Sequence, residues 1–136
     1  MIEIQVQYQG QLRCSATHTP SGNTLQTDAP TDNNGLGETF SPTDLIATAL
    51  ATCISTVMGI VASRKGIPLD NLHIAARKFM SDTTPRRIAR IELDLHIPLP
   101  ANHPDRHLLE NAARSCPVHH SIHPDIEVVQ NWIWLE

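Results

Sequence analysis

Apolar and polar residues alternate along Ile2-Glu3-Ile4-Gln5-Val6-Gln7-Tyr8, the period-two pattern of a strand. Two further stretches, Leu12 to His18 and Thr24 to Thr27, are set off by turn signals at Gly10 and Ser21-Gly22. Together they predict a three-stranded antiparallel meander. Asp28 to Glu38 follows, rich in Pro, Asn, Asp and Gly, and this turn chemistry predicts a mobile loop free to lie over a site. Asp28 and Asp32 within it are expected to be solvated loop residues.

The pattern then changes period. Ser41-Pro42-Thr43-Asp44 is a helix start, with Ser41 as N-cap, Pro42 at N1 and Asp44 at N3 completing a capping box, and Gly66 after Arg64-Lys65 is a stop. The helix between them spans about 24 residues and is apolar or small on nearly every face, so it is expected to be buried all round. One sheet covers one face of a helix, and a chain of 136 residues has little else to wrap it with. A second copy of the chain, giving a homodimer, is the expected cover.

Strands are predicted at Leu69 to Met80 and at Ile88 to Ile97, where Ile91, Leu93, Leu95 and Ile97 alternate with Glu92, Asp94 and His96. A second helix opens near Asn102 or His103 and repeats apolar residues at Leu108, Leu109, Ala112, Ala113 and Cys116. A final strand covers Ile126 to Leu135. The order βββ-α-ββ-α-β defines an α+β chain, and 136 residues with 40% apolar content suit a single domain spanning residues 1–136.

Charge narrows the function. Ten Lys and Arg are scattered in a chain of net charge −4, which argues against a nucleic-acid partner. Leu45 to Ser63 carries no charge, but it holds five Ser or Thr and one Gly in a chain of mean hydropathy −0.20. It is therefore read as a core helix and not a membrane span. The alternating N-terminus has no signal-peptide pattern, so a cytoplasmic location is expected. Three cysteines, far apart and without a CxxC pair, make neither a disulfide framework nor a zinc ribbon.

The chemistry that remains centres on Cys53 and Cys116. Cys53 shares an apolar stripe with Ile46, Ala49, Leu50 and Val57, where burial disfavours the thiolate, so its reactivity requires a nearby cation. If Pro117 opens a further helical turn, Cys116 sits at its N-cap, where unpaired amides favour the thiolate. Cys14 is expected to alternate into the sheet. His119, His120 and His123 could form part of a metal site if the helix continues, but they lack a fixed third ligand, and they are read as solvent-facing. No metal or cofactor is expected.

Two motifs, Ser41-Pro42-Thr43-Asp44-Leu45 leading into Ala49-Leu50-Ala51-Thr52-Cys53, and Arg114-Ser115-Cys116-Pro117-Val118, together with the element order, resemble the OsmC/Ohr family over nearly the whole chain. The resemblance implies an intertwined homodimer and a thiol peroxidase acting on organic hydroperoxides. Cys53 would be the peroxidatic residue and Cys116 the resolving one, with a dithiol such as a lipoyl group as reductant. It also implies an Arg in the N-terminal sheet, matched by Arg13, and a Glu near the start of the long helix.

That Glu is replaced by Thr43, and the nearest acid is Asp44. Asp44 precedes Cys53 by nine residues, about 14 Å along the helix and about 180° around it. It can therefore serve catalysis only from another subunit, or act simply as the capping-box acid. An alternative of another class is a non-peroxidase relative that binds a small apolar or thiol-reactive ligand at the dimer interface.

Overall fold

The computed structural model describes residues 1–136 and has the expected order of three strands, a helix, two strands, a helix and a strand. The chain forms two compact units, Met1–Ile46 and Ala47–Glu136.

In the first unit, β1 (Ile4–Gly10), β2 (Arg13–His18) and β3 (Thr24–Asp28) form an antiparallel sheet in that order. Leu12 was expected to open β2. Instead Gln11 and Leu12 form the two-residue turn between β1 and β2, both with positive φ (54° and 64°), as a hairpin of primed type requires. β2 and β3 pair so that Arg13 faces Asp28 and Thr17 faces Thr24. Ile4, Val6 and Tyr8 of β1 are all more than half exposed.

The segment after β3 is pinned more closely than its composition suggested. Asp28 N–H donates to Phe40 O at 3.0 Å, Ala29 N–H to Leu12 O at 3.1 Å and Gly37 N–H to Ala29 O at 3.2 Å, around a short 3-10 turn at Thr31–Asn33. Gly35 allows this closure, because a Cβ there would lie 1.7 Å from Ala29 O.

Helix α1 (Pro42–Lys65) starts as the sequence predicts. Asp44 N–H donates to Ser41 Oγ at 3.1 Å and Ser41 N–H donates to Asp44 Oδ2 at 2.8 Å, the two reciprocal bonds of a capping box. By length and composition alone this helix could cross a membrane. Its burial, however, is one-sided: Ala47, Leu50, Ile54, Met58 and Ala62 are buried, whereas Ile46 and Ile60 are exposed. The expectation of burial all round thus fails within one chain. The reason is that a single sheet covers only the stripe repeating every three or four residues.

The buried stripe of the second unit packs with a sheet of order β4-β5-β6, formed by β4 (His73–Met80), β5 (Ile88–Pro100) and β6 (Glu127–Leu135). β4 and β5 are antiparallel, whereas β5 and β6 are parallel and joined through α2 (Arg106–Arg114), as a parallel pair demands a crossover. Ile91, Leu93, Leu95, Ile97 and Leu99 of β5 are buried in the same core as Leu109, Ala112, Ala113 and Cys116. On the other face of the sheet Arg77 binds Asp94 through two bonds of 2.8 and 3.0 Å, and Asn131 adds a third at 2.9 Å.

Candidate active site

The stripe that carried Cys53 in sequence divides in three dimensions. Leu50 turns into the core, while Cys53 stays half-buried beside it. Residues Ala49, Cys53, Val57 and Ile60 of α1 and Pro117 and Val118 beyond α2 line a hollow of about 450 Å³. Thr52 and Thr56 complete its wall, yet each donates its hydroxyl to the helix backbone, Thr52 to Thr48 O and Thr56 to Thr52 O, both at 2.8 Å. With those hydroxyls satisfied inside the helix, the hollow is predominantly apolar.

Cys116 was expected on a helix. α2 ends at Arg114, and Cys116 lies two residues later, with its N–H donating to Ala113 O at 3.4 Å. It is fully buried, and it forms no disulfide. Burial, and next a hydrogen bond to the Cys53 thiol, push the Cys116 pKa up. The amides of His119 and Val118 pull in the opposite direction. The favourable amides of the N-cap expectation are thus present, but the thiolate preference inferred from them is overturned, because removal from water outweighs two amide bonds.

The two sulfurs therefore differ in a way the sequence did not show. Cys53 faces a hollow that an apolar molecule can enter, and Cys116 stands behind it as a buried protonated thiol.

In the first unit Arg13 forms an ion pair with Glu38 and lies 3.5 Å from Asp28. The hydrogen bond and charge of Glu38, and more weakly the charge of Asp28, hold the proton on its guanidinium more tightly than usual. Asp28 corrects the expectation of a solvated loop acid: it is 1% exposed, and its Oδ2 accepts the Glu38 N–H at 3.0 Å. Strand register explains this, since a turn at Ser21-Gly22 that pairs Thr17 with Thr24 also sets Asp28 across from Arg13. Counting across the hairpin could have found Asp28. Glu38 arrives through the folding of the loop and left no comparable signal. Asp44 Oδ2 accepts the Ser41 N–H in the capping box.

Cys14 is half-buried on β2. The rings of His119 and His120 stack at 6.3 Å, and His123 Nδ1 accepts the Asp125 N–H at 3.0 Å. Residues 117–121 form turns and not a helix, so His119 and His123 do not share a helical face. No group of three or more His, Cys, Asp or Glu is placed to hold a metal ion.

Comparison with known proteins gives these features a setting. Residues 35–130 match the family described as OsmC-like protein. No curated protein matches the chain. Among solved structures, a protein of Psychrobacter arcticus provisionally named for osmotic stress induction and detoxification response is 41% identical. The match covers 99% of this chain and 96% of that one, with a TM-score of 0.88. An organic hydroperoxide resistance protein of Legionella pneumophila has the same fold at 18% identity, with 98% and 96% of the chains covered and a TM-score of 0.78. An OsmC-like protein of Mycoplasma pneumoniae shares it at 15% identity, with 100% and 98% covered and a TM-score of 0.82.

Proposed function

Because this chain belongs to the OsmC-like protein family, we propose that it is a Cys-based peroxidase that reduces organic hydroperoxides in stress defence. One observation carries the reading: of two hydrogen-bonded thiols, only Cys53 lines an apolar hollow, while Cys116 is buried behind it as the neutral thiol. An alkyl group entering the hollow gains from leaving water, which favours organic peroxides over hydrogen peroxide.

The proposed steps follow from that arrangement. The Cys53 thiolate attacks the terminal oxygen of ROOH; the O–O bond breaks, the alkoxide takes a proton to leave as ROH, and Cys53 becomes a sulfenic acid. The sulfur of Cys116 then displaces hydroxide from Cys53, water leaves, and a Cys53–Cys116 disulfide forms. A dithiol such as a lipoyl group would return both thiols by exchange and be oxidised in turn. Arg13 is the proposed cation for the thiolate and Asp44 the weaker candidate acid, since the capping box already accounts for its position.

The same reading takes residues 1–136 as one domain, supported by neighbours that cover 98% or more of the chain, and places it in the cytoplasm, where unpaired thiols persist. It also takes the working form as a homodimer. The exposed apolar residues Ile4, Val6 and Tyr8 of β1 and the exposed Ile46 and Ile60 of α1 support that state.

The test is intact mass and free-thiol count of the reduced protein before and after one equivalent of cumene hydroperoxide, with Cys53→Ser and Cys116→Ser alongside. The expected result is loss of two hydrogens that requires both cysteines. An unchanged mass in modest peroxide excess would remove the peroxidase and leave the hollow as a binding site for an apolar, thiol-reactive ligand.

A further inference from the structure

Three histidines that the proposed chemistry does not use meet at one place. Arg114, the last residue of α2, and His119, His120 and His123 beyond it line a second hollow of about 500 Å³, with Ile122 and Ile126 as apolar wall. All of these residues belong to the unit Ala47–Glu136, and none of them carries a carboxylate. Arg114 donates from Nη1 to the neutral Asn111 Oδ1 at 3.0 Å, so its charge is not spent on an acid. His123 Nδ1 accepts the Asp125 N–H at 3.0 Å, which leaves the proton of a neutral ring on Nε2. The Asp125 carboxylate lies 3.7 Å from that same Nδ1 and is 86% exposed, so water screens it. His119 is tethered through its backbone, its amide bonding the Cys116 sulfur.

A metal ion does not suit this lining. No three ligands are grouped to hold one, the rings of His119 and His120 stack instead of converging, and the guanidinium would repel a cation. An oxyanion suits it, because a guanidinium fork matches a carboxylate or phosphate and imidazole N–H groups donate to the same oxygens. The hollow is also larger than a bare ion requires, and Ile122 and Ile126 are half-buried beside the charged group, an arrangement that takes up an apolar body while a few polar groups fix its orientation.

We infer that this hollow binds a small organic acid, its carboxylate or phosphate held by Arg114 and the imidazoles and its apolar body laid against Ile122 and Ile126. The site does not depend on the peroxidase reading, since neither Cys53 nor a peroxide enters the argument.

The experiment titrates the reduced full chain with benzoate, phenyl phosphate and the neutral benzyl alcohol at low ionic strength, following backbone amide NMR shifts. Saturable shifts at residues 119–126 with at least one of the two acids are expected, and which acid produces them identifies the anionic group. Arg114→Gln should weaken that binding by about tenfold, the loss of one charge-assisted contact. Arg64→Gln, the same change of charge outside the hollow, should leave it within about twofold, as screening of a distant charge predicts. An unchanged melting temperature and intact amide spectrum are the expected signs that Arg114→Gln is folded; His123→Gln, expected to weaken binding severalfold, tests the site without altering α2. Equal losses in Arg114→Gln and Arg64→Gln would overturn the inference, since net charge and not the hollow would then attract the acids. So would benzyl alcohol binding as tightly as the acids, shifts centred on the Cys53 hollow, or no saturation with either acid.

Discussion

The two units of this chain are each built on a three-stranded sheet, and they bury opposite kinds of residue. In Met1–Ile46 the buried residues are Thr27, Asp28 and Ser41, all polar, while Ile4, Val6, Tyr8, Leu12 and Leu25 remain exposed. In Ala47–Glu136 the buried set is apolar apart from Glu110. The second unit is held by hydrophobic burial, the first by strand ladders, an ion-paired arginine and the helix cap. The first unit therefore has the sheet but buries no apolar core beneath it.

That contrast can be tested by matched truncations. Ile54→Ala, at a fully buried position, is expected to lower the unfolding free energy by about 2–5 kcal/mol, read from the urea midpoint. Disturbing the polar unit at its best-made contact should cost less: Ser41→Ala removes the cap and is expected to cost about 1 kcal/mol in the same measurement. Val6→Ala, at a position 66% exposed, should change stability by less than about 0.5 kcal/mol in dilute protein. A larger cost that grows with protein concentration would show a second copy covering β1, and sedimentation of Val6→Lys would then show a loss of dimer.

The smallest expected effect belongs to the solvated face of the second sheet. Arg77, and next Asn131, lower the Asp94 pKa from its ordinary value to about 2. A carboxylate lowered on folding stabilises above its unfolded pKa, near 3.8, and loses that contribution as pH falls through the folded one. The difference in stability between the unsubstituted protein and Asp94→Asn should therefore be constant above pH about 5 and shrink towards pH about 2. A difference that persists unchanged at pH 2 would show that the pair does not set the acid response.

Much of the fold was legible because it rests on local rules. The capping box at Ser41 and Asp44, the stop at Gly66 and the alternation in β5 each depend on neighbours a few residues apart, and each stands in the structure where the pattern put it. The family was legible for a related reason: the cysteines and the residues around them lie in short motifs.

What the sequence alone determined, then, was the order of elements, the two cysteines and the cap. Tertiary structure decided the rest. Whether Cys53 faced core or hollow depended on which side of α1 the sheet covered, a matter of packing that no periodicity states. The state of Cys116 depended on a balance between amides and burial, and burial is a property of everything packed around a sulfur. Arg13 gained its carboxylates from β3 and from a folded loop, fifteen and twenty-five residues away in sequence. Local patterns record what a residue does to its own turn of chain, whereas the solvation and charge partners of a functional group are set by segments that meet only when the chain is folded.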